Sequence, residues 1–227
     1  MSSYVDLTAA DGFVFPAYVA QPSGTPKGAV VVVQEIFGVN SHIRSVADGY
    51  AAAGYLAVAP AMFQRVQPGV DIGYTPEDIQ AGIALKAAAE AQGVPVLMQD
   101  LQAAVDYAAK SGKVGMVGYC WGGLLTWRAA GLVTGLSAAV PYYGGGMTAP
   151  AEVARTAKVP VLAHFGEHDH GIALPTVRAF EQAHPAVDVR VYPADHGFNC
   201  DQRGAYNAPA ATLAREATLA FFAQHLA

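Results

Sequence analysis

The run Lys113-Val114-Gly115-Met116-Val117-Gly118-Tyr119-Cys120-Trp121-Gly122-Gly123-Leu124-Leu125 constrains the fold more than any other stretch, reading as a buried strand, a forced turn and a helix start. Glycines two residues before and after Cys120 let strand and helix approach closely around a strained residue. Such a turn lifts the thiol above the carboxyl end of a parallel sheet. The N–H groups that follow open a helix, whose dipole favours a thiolate and a developing oxyanion. On its own the pattern also fits a structural cysteine, since free cysteine is among the most buried residue types.

The rest of the chain supplies the sheet that this turn needs. Residues 5 to 20 read as an antiparallel edge hairpin turning at Ala10-Asp11-Gly12, and Ala29–Val33 is an uninterrupted apolar run suited to a strand buried on both faces. A helix over 41–53 entered through a Ser41 cap, a strand over 55–60, an irregular loop over 61–74 and helical patterns over 76–91 and 97–108 follow. Beyond the elbow, strands are predicted over 138–143, 159–165 and 188–192, with helices over 173–184 and 209–224. This alternation without internal repeats predicts an α/β protein: a mostly parallel central sheet with helices on both faces, in one domain over 1–227.

Chemistry-bearing residues fall at the ends of these strands. Asp169 lies in Gly166-Glu167-His168-Asp169-His170-Gly171, and His196 lies in Asp195-His196-Gly197-Phe198. Nucleophile, acid, histidine is the chain order of the α/β-hydrolase fold, so Cys120, Asp169 and His196 are the candidate triad, with Glu167 as competitor for the acid. The imidazole would accept the thiol proton and deliver it later to the leaving oxygen. Glu35 ends the first buried strand, as either a helix-capping surface carboxylate or a site residue, and the loop after that strand offers the Ile36 N–H as an oxyanion donor. His164, His168, Asp169 and His170 invite a metal reading, but no established ligand spacing is matched, and neither metal nor cofactor is expected.

Composition excludes other classes. The net charge of -5 and 13 scattered basic residues disfavour nucleic acid, and no apolar stretch reaches the roughly 20 residues of a membrane helix. A soluble, cytoplasmic monomer or small homo-oligomer is expected, with Cys120 and Cys200 both reduced.

The segments Gln34-Glu35-Ile36-Phe37-Gly38, Gly118-Tyr119-Cys120-Trp121-Gly122-Gly123, Gly166-Glu167-His168-Asp169 and His196-Gly197-Phe198 together resemble the dienelactone hydrolase (carboxymethylenebutenolidase) family over nearly the whole chain. The resemblance implies an α/β-hydrolase without a cap domain, acting on enol-lactones or activated esters through a thioester acyl-enzyme. It implies Cys120, Asp169 and His196 as triad, the Ile36 and Trp121 N–H groups as oxyanion hole, and Glu35 as a carboxylate that contacts the resting thiol. The family's arginines that hold a lactone carboxylate are missing: none lies between Val66 and Trp127, and Cys200 stands four residues after His196. Lys86, Arg203, Tyr143 and Phe37 are the candidate substrate-binding residues, although lysine lacks the planar fork of arginine. A thiolate-based redox or electrophile sensor and a non-catalytic ligand-binding relative are the alternatives.

Overall fold

The computed structural model describes residues 2–227. The hairpin comprises β1 (Ser2–Thr8) and β2 (Val14–Ala20), and the remaining strands are β3 (Ala29–Val33), β4 (Leu56–Pro60), β5 (Val114–Tyr119), β6 (Leu136–Tyr142), β7 (Leu162–Gly166) and β8 (Asp188–Tyr192). They form one sheet in the order β1-β2-β4-β3-β5-β6-β7-β8, antiparallel at the hairpin edge and parallel from β4 onwards. Every residue of β3 is fully buried, as its apolar run demands.

Helices α1 (Ser41–Ala52), α2 (Pro76–Ala91), α3 (Val94–Ala108), α4 (Trp121–Leu132), α5 (Pro150–Val153), α6 (Leu174–Ala183) and α7 (Ala208–Leu226) cover both faces. Two glycines of β5 explain how. Gly115 and Gly118 are three residues apart and therefore point to opposite faces of the sheet. A Cβ on Gly115 would meet the Phe222 ring of α7 at 2.6 Å, whereas one on Gly118 would collide with Gly122 and Thr126 of α4. Both helices thus rest directly on strand backbone, and α1 joins α7 through the Tyr50–Phe222 edge contact at 6.1 Å.

Some boundaries differ from the sequence reading. The cap of α1 is Asn40, whose side chain accepts from the Ile43 N–H at 3.2 Å, and Ser41 is already helical. Asn40 is pinned there by its own donors, which reach Ile72 O and Tyr74 Oη, each at 3.1 Å. The strand predicted to include Tyr143 stops at Tyr142, because Tyr143 turns to φ 35°. The ladder of β7 begins at Leu162 rather than 159, since Pro160 has no N–H to donate and Val161 makes only an isolated bridge to Ala139. Among the described residues no helix is long and apolar enough to cross a membrane.

Candidate active site

Cys120 occupies the turn between β5 and α4 with φ 55° and ψ −117°, a backbone region that costs a non-glycine residue roughly 1–3 kcal/mol. The surroundings enforce it. The Cys120 N–H donates to Tyr142 O at 3.1 Å, while its carbonyl accepts from Gly123 N at 3.0 Å and Leu124 N at 3.3 Å. The glycines are sterically required: a Cβ on Gly122 would come 2.5 Å from Gln34 O, and one on Gly123 would come 2.6 Å from Tyr142 O. The Trp121 indole adds a further clamp by donating to Glu90 at 2.9 Å and stacking on Phe63 at 4.9 Å. The thiol is left half-buried at the carboxyl end of the sheet.

Acid and imidazole arrive from two neighbouring loops fastened by their main chains. Glu167 N donates to Tyr192 O at 2.7 Å and His168 N to Ala194 O at 3.0 Å, and a side chain on Gly166 would collide with Ala194 O. Asp169 is buried and Glu167 exposed, so Asp169 faces the histidine. Its Oδ2 bonds His196 Nδ1 at 2.7 Å, while Oδ1 accepts from Gly171 N at 2.8 Å and Ile172 N at 3.1 Å. With Nδ1 held by a carboxylate, Nε2 is the nitrogen left for the thiol. Burial alone would discharge the His196 ring; the Cys120 sulfur and the Asp169 carboxylate outweigh it and lift the imidazole from 6.5 to about 10.

The remaining candidates divide between the site and its margin. Neither Ile36 N–H nor Trp121 N–H donates to protein among the described residues, which leaves two orphan donors flanking the thiol turn. Glu35 is fully buried, so it is not a surface helix cap. Its carboxylate meets Arg203 Nη1 at 3.5 Å and Tyr74 Oη at 3.5 Å, and no hydrogen bond joins it to Cys120 among the described residues. Arg203 packs against Gly197 and lies 5.7 Å from the Phe37 ring and 5.8 Å from the Tyr74 ring. Seven residues past the histidine, this arginine meets the Glu35 carboxylate. Phe37 is buried edge-on to Tyr74 at 4.6 Å. Tyr143 is fully buried, edge-on to His196 at 5.1 Å, with its hydroxyl unpartnered. Burial, with Glu35, Cys200 and Cys120 nearby, pushes that phenol well above its usual range.

Lys86 is half-buried on α2, one turn beyond Gly82, which packs on the Ile36 carbonyl. The histidines of the acid loop do not gather. His164 is buried against Tyr192 Oη at 2.9 Å and Thr218 Oγ1 at 3.0 Å, and burial lowers it to about 3; His168 and His170 are exposed. Tyr74, His42 and Cys200 were not singled out as site residues, yet the structure places all three around Glu35. Tyr74 ends the long irregular loop, and nothing in the sequence pairs His42 with Cys200.

A cysteine at a strained strand-to-helix turn, an Asp–His pair from the next loops and orphan N–H groups on a parallel sheet define an α/β-hydrolase. The profile of the dienelactone hydrolase family matches residues 15–226. The chain belongs to that family, which makes it a carboxylic ester or lactone hydrolase. It is 40% identical to a provisionally named carboxymethylenebutenolidase of Synechocystis over 213 residues, covering 86% of this chain and 85% of that one. With the carboxymethylenebutenolidase of Pseudomonas putida it shares 34% over 229 residues, covering 96% and 95%. A crystal structure of a provisionally named dienelactone hydrolase from Klebsiella pneumoniae superposes with a TM-score of 0.84 at 31% identity, covering 99% of each chain.

Proposed function

We propose that the chain, as a single domain, hydrolyses a small lactone or activated ester through a thioester formed on Cys120. The 2.7 Å Asp169–His196 bond, which aims the imidazole at the thiol turn, is the observation that carries this reading. With His196 already carrying a proton, the Cys120 sulfur attacks the acyl carbon as a thiolate, and the carbonyl oxygen becomes an oxyanion between the Ile36 and Trp121 N–H groups. Collapse breaks the C–O bond, and the imidazolium protonates the departing oxygen. Water, deprotonated by the same imidazole, then attacks the thioester, and the sulfur leaves as a thiolate beside the reprotonated ring. Asp169 holds the productive tautomer throughout.

Arg203 gives the substrate class a direction. Its guanidinium meets Glu35 Oε1 at 3.5 Å, lies 5.7 Å from the Phe37 ring and offers a carboxylate a planar fork. A substrate carboxylate that binds Arg203 competes with Glu35 for it, freeing Glu35 to act on the thiol. The test is turnover of p-nitrophenyl acetate by wild type and by Cys120→Ala, with intact mass spectrometry under acid quench. Burst-phase acylation seen only in wild type is expected; equal turnover in both proteins ends the proposal.

A further inference from the structure

Glu35 lies at the crossing of two sets of groups, and only one of them belongs to the hydrolytic reading. Also beside it are His42, from the first turn of α1, and Cys200, from the segment after the histidine loop. One ligand atom from each of Glu35, His42 and Cys200 lies within 4.8 Å of the others, and all three residues are fully buried. Two polar atoms in this group lack a partner: Glu35 Oε1 and His42 Nε2 are buried without a hydrogen bond. Arg203 approaches Oε1 only to 3.5 Å, outside hydrogen-bonding geometry. Leaving two such atoms unsatisfied costs about 1–3 kcal/mol each, so a group that engages both has a reason to be there.

The arrangement around His42 extends the pattern. Its Nδ1 is engaged by Asp201 Oδ1 at 3.2 Å, so the inward nitrogen is Nε2. Ligating histidines commonly carry such a carboxylate on the far nitrogen, which fixes the ring and raises its basicity. His42 and Asp201 also line a cavity of about 210 Å³ that opens to solvent.

We propose that Glu35, His42 and Cys200 form a zinc-class cation site behind the hydrolytic centre, and that occupation of it silences hydrolysis. A thiolate, an imidazole and a carboxylate together suit Zn²⁺, whereas Mg²⁺ and Ca²⁺ require oxygen donors. Tetrahedral bonds of about 2.0–2.3 Å place donors roughly 3.5 Å apart, so atoms that now lie within 4.8 Å of one another draw together by up to about 1.3 Å as the ion enters. Zn–S, Zn–N and Zn–O bonds form, water leaves the ion, and the Cys200 thiol proton goes to solvent; nothing is oxidised or reduced. The Glu35 carboxylate is then no longer free to act on Cys120, and this clause alone rests on the hydrolytic reading. Arg203 opposes the incoming charge, which predicts tighter zinc binding in Arg203→Gln.

The test uses Co²⁺ as a spectroscopic probe and Zn²⁺ by calorimetry on the metal-free protein. Wild type and Cys120→Ser should both bind one equivalent of Co²⁺ and show sulfur-to-cobalt charge-transfer absorption. Cys200→Ser should lose the band, and His42→Ala should bind zinc at least tenfold more weakly, with melting curves establishing that both variants fold. Zinc should inhibit wild-type esterase turnover and leave Cys200→Ser active. A band that survives in Cys200→Ser but vanishes in Cys120→Ser places the ion on the nucleophile and overturns the proposal, as does the absence of any band in wild type. Because the band is read without substrate, this result stands apart from the Cys120→Ala turnover test.

Discussion

Gly122→Ala tests whether the two orphan N–H groups act as one oxyanion hole. The added methyl would stand 2.5 Å from Gln34 O, and ordinary contact for such an atom begins at 3.4 Å, so the start of α4 must retreat from the end of β3 by about 0.9 Å. No flexible side chain can absorb the clash, since the obstacles are main-chain atoms of Val33 and Gln34. Retreat carries the Trp121 N–H away from the Ile36 N–H, and a misplacement near 1 Å costs about 100-fold in rate. Loss of one donor outright costs about 100- to 1,000-fold in kcat. Overpacking should also cost about 1–3 kcal/mol, a fall of roughly 2–12 °C in Tm for a chain of this size. The assay is kcat and KM on p-nitrophenyl acetate beside a thermal melt. A fall of about 100-fold or more in kcat with KM little changed is expected. Wild-type kcat at an unshifted Tm would refute the reasoning.

Asp169→Asn should leave the fold intact and lower kcat by about 10³–10⁴-fold, because the amide favours the wrong tautomer of His196; a loss below tenfold in steady-state assays argues against that role. Arg203→Gln should raise KM at least tenfold for esters bearing a carboxylate and leave neutral esters unaffected, so equal effects on both would remove Arg203 from substrate binding. The His196 ring, raised to about 10, should keep its proton through neutrality in an NMR titration of the free enzyme. The stability from that raised group is present below 6.5 and lost as pH climbs through about 10; a ring that titrates near 6.5 contradicts the ion-pair geometry. His164 behaves oppositely, since its lowered value near 3 gives stability present above 6.5 and lost as pH falls towards 3, which a falling Tm across that interval should record.

The elbow is legible in sequence because glycine is the only residue that permits main chains to approach as Gly118, Gly122 and Gly123 do, so spacing alone reveals the turn. Asp169 is legible because it follows a buried apolar strand, and His196 because it follows the alternating Asp188-Val189-Arg190-Val191-Tyr192. Capping is less so: Asn40 and Ser41 are both good caps, and the contacts of Asn40 with Ile72 and Tyr74, more than thirty residues away, decide between them. The ending of β6 escapes the pattern, since Tyr143 is a strong strand former held at positive φ by its surroundings. Most hidden is the company Glu35 keeps: His42 and Cys200 are joined to it by tertiary packing, and nothing local in either segment announces the encounter.

The main-chain hydrogen bonds between the segments following β7 and β8 have a consequence for how this scaffold can change. Proton acceptor and orienting acid travel as a preassembled cassette, separate from the 61–75 loop and α2 that border the mouth. Substitutions in that border can reshape what enters while the cassette keeps its alignment. Laboratory selection for new esters should therefore accumulate changes around Tyr74 and Gly82 and leave 166–169 and 194–197 untouched.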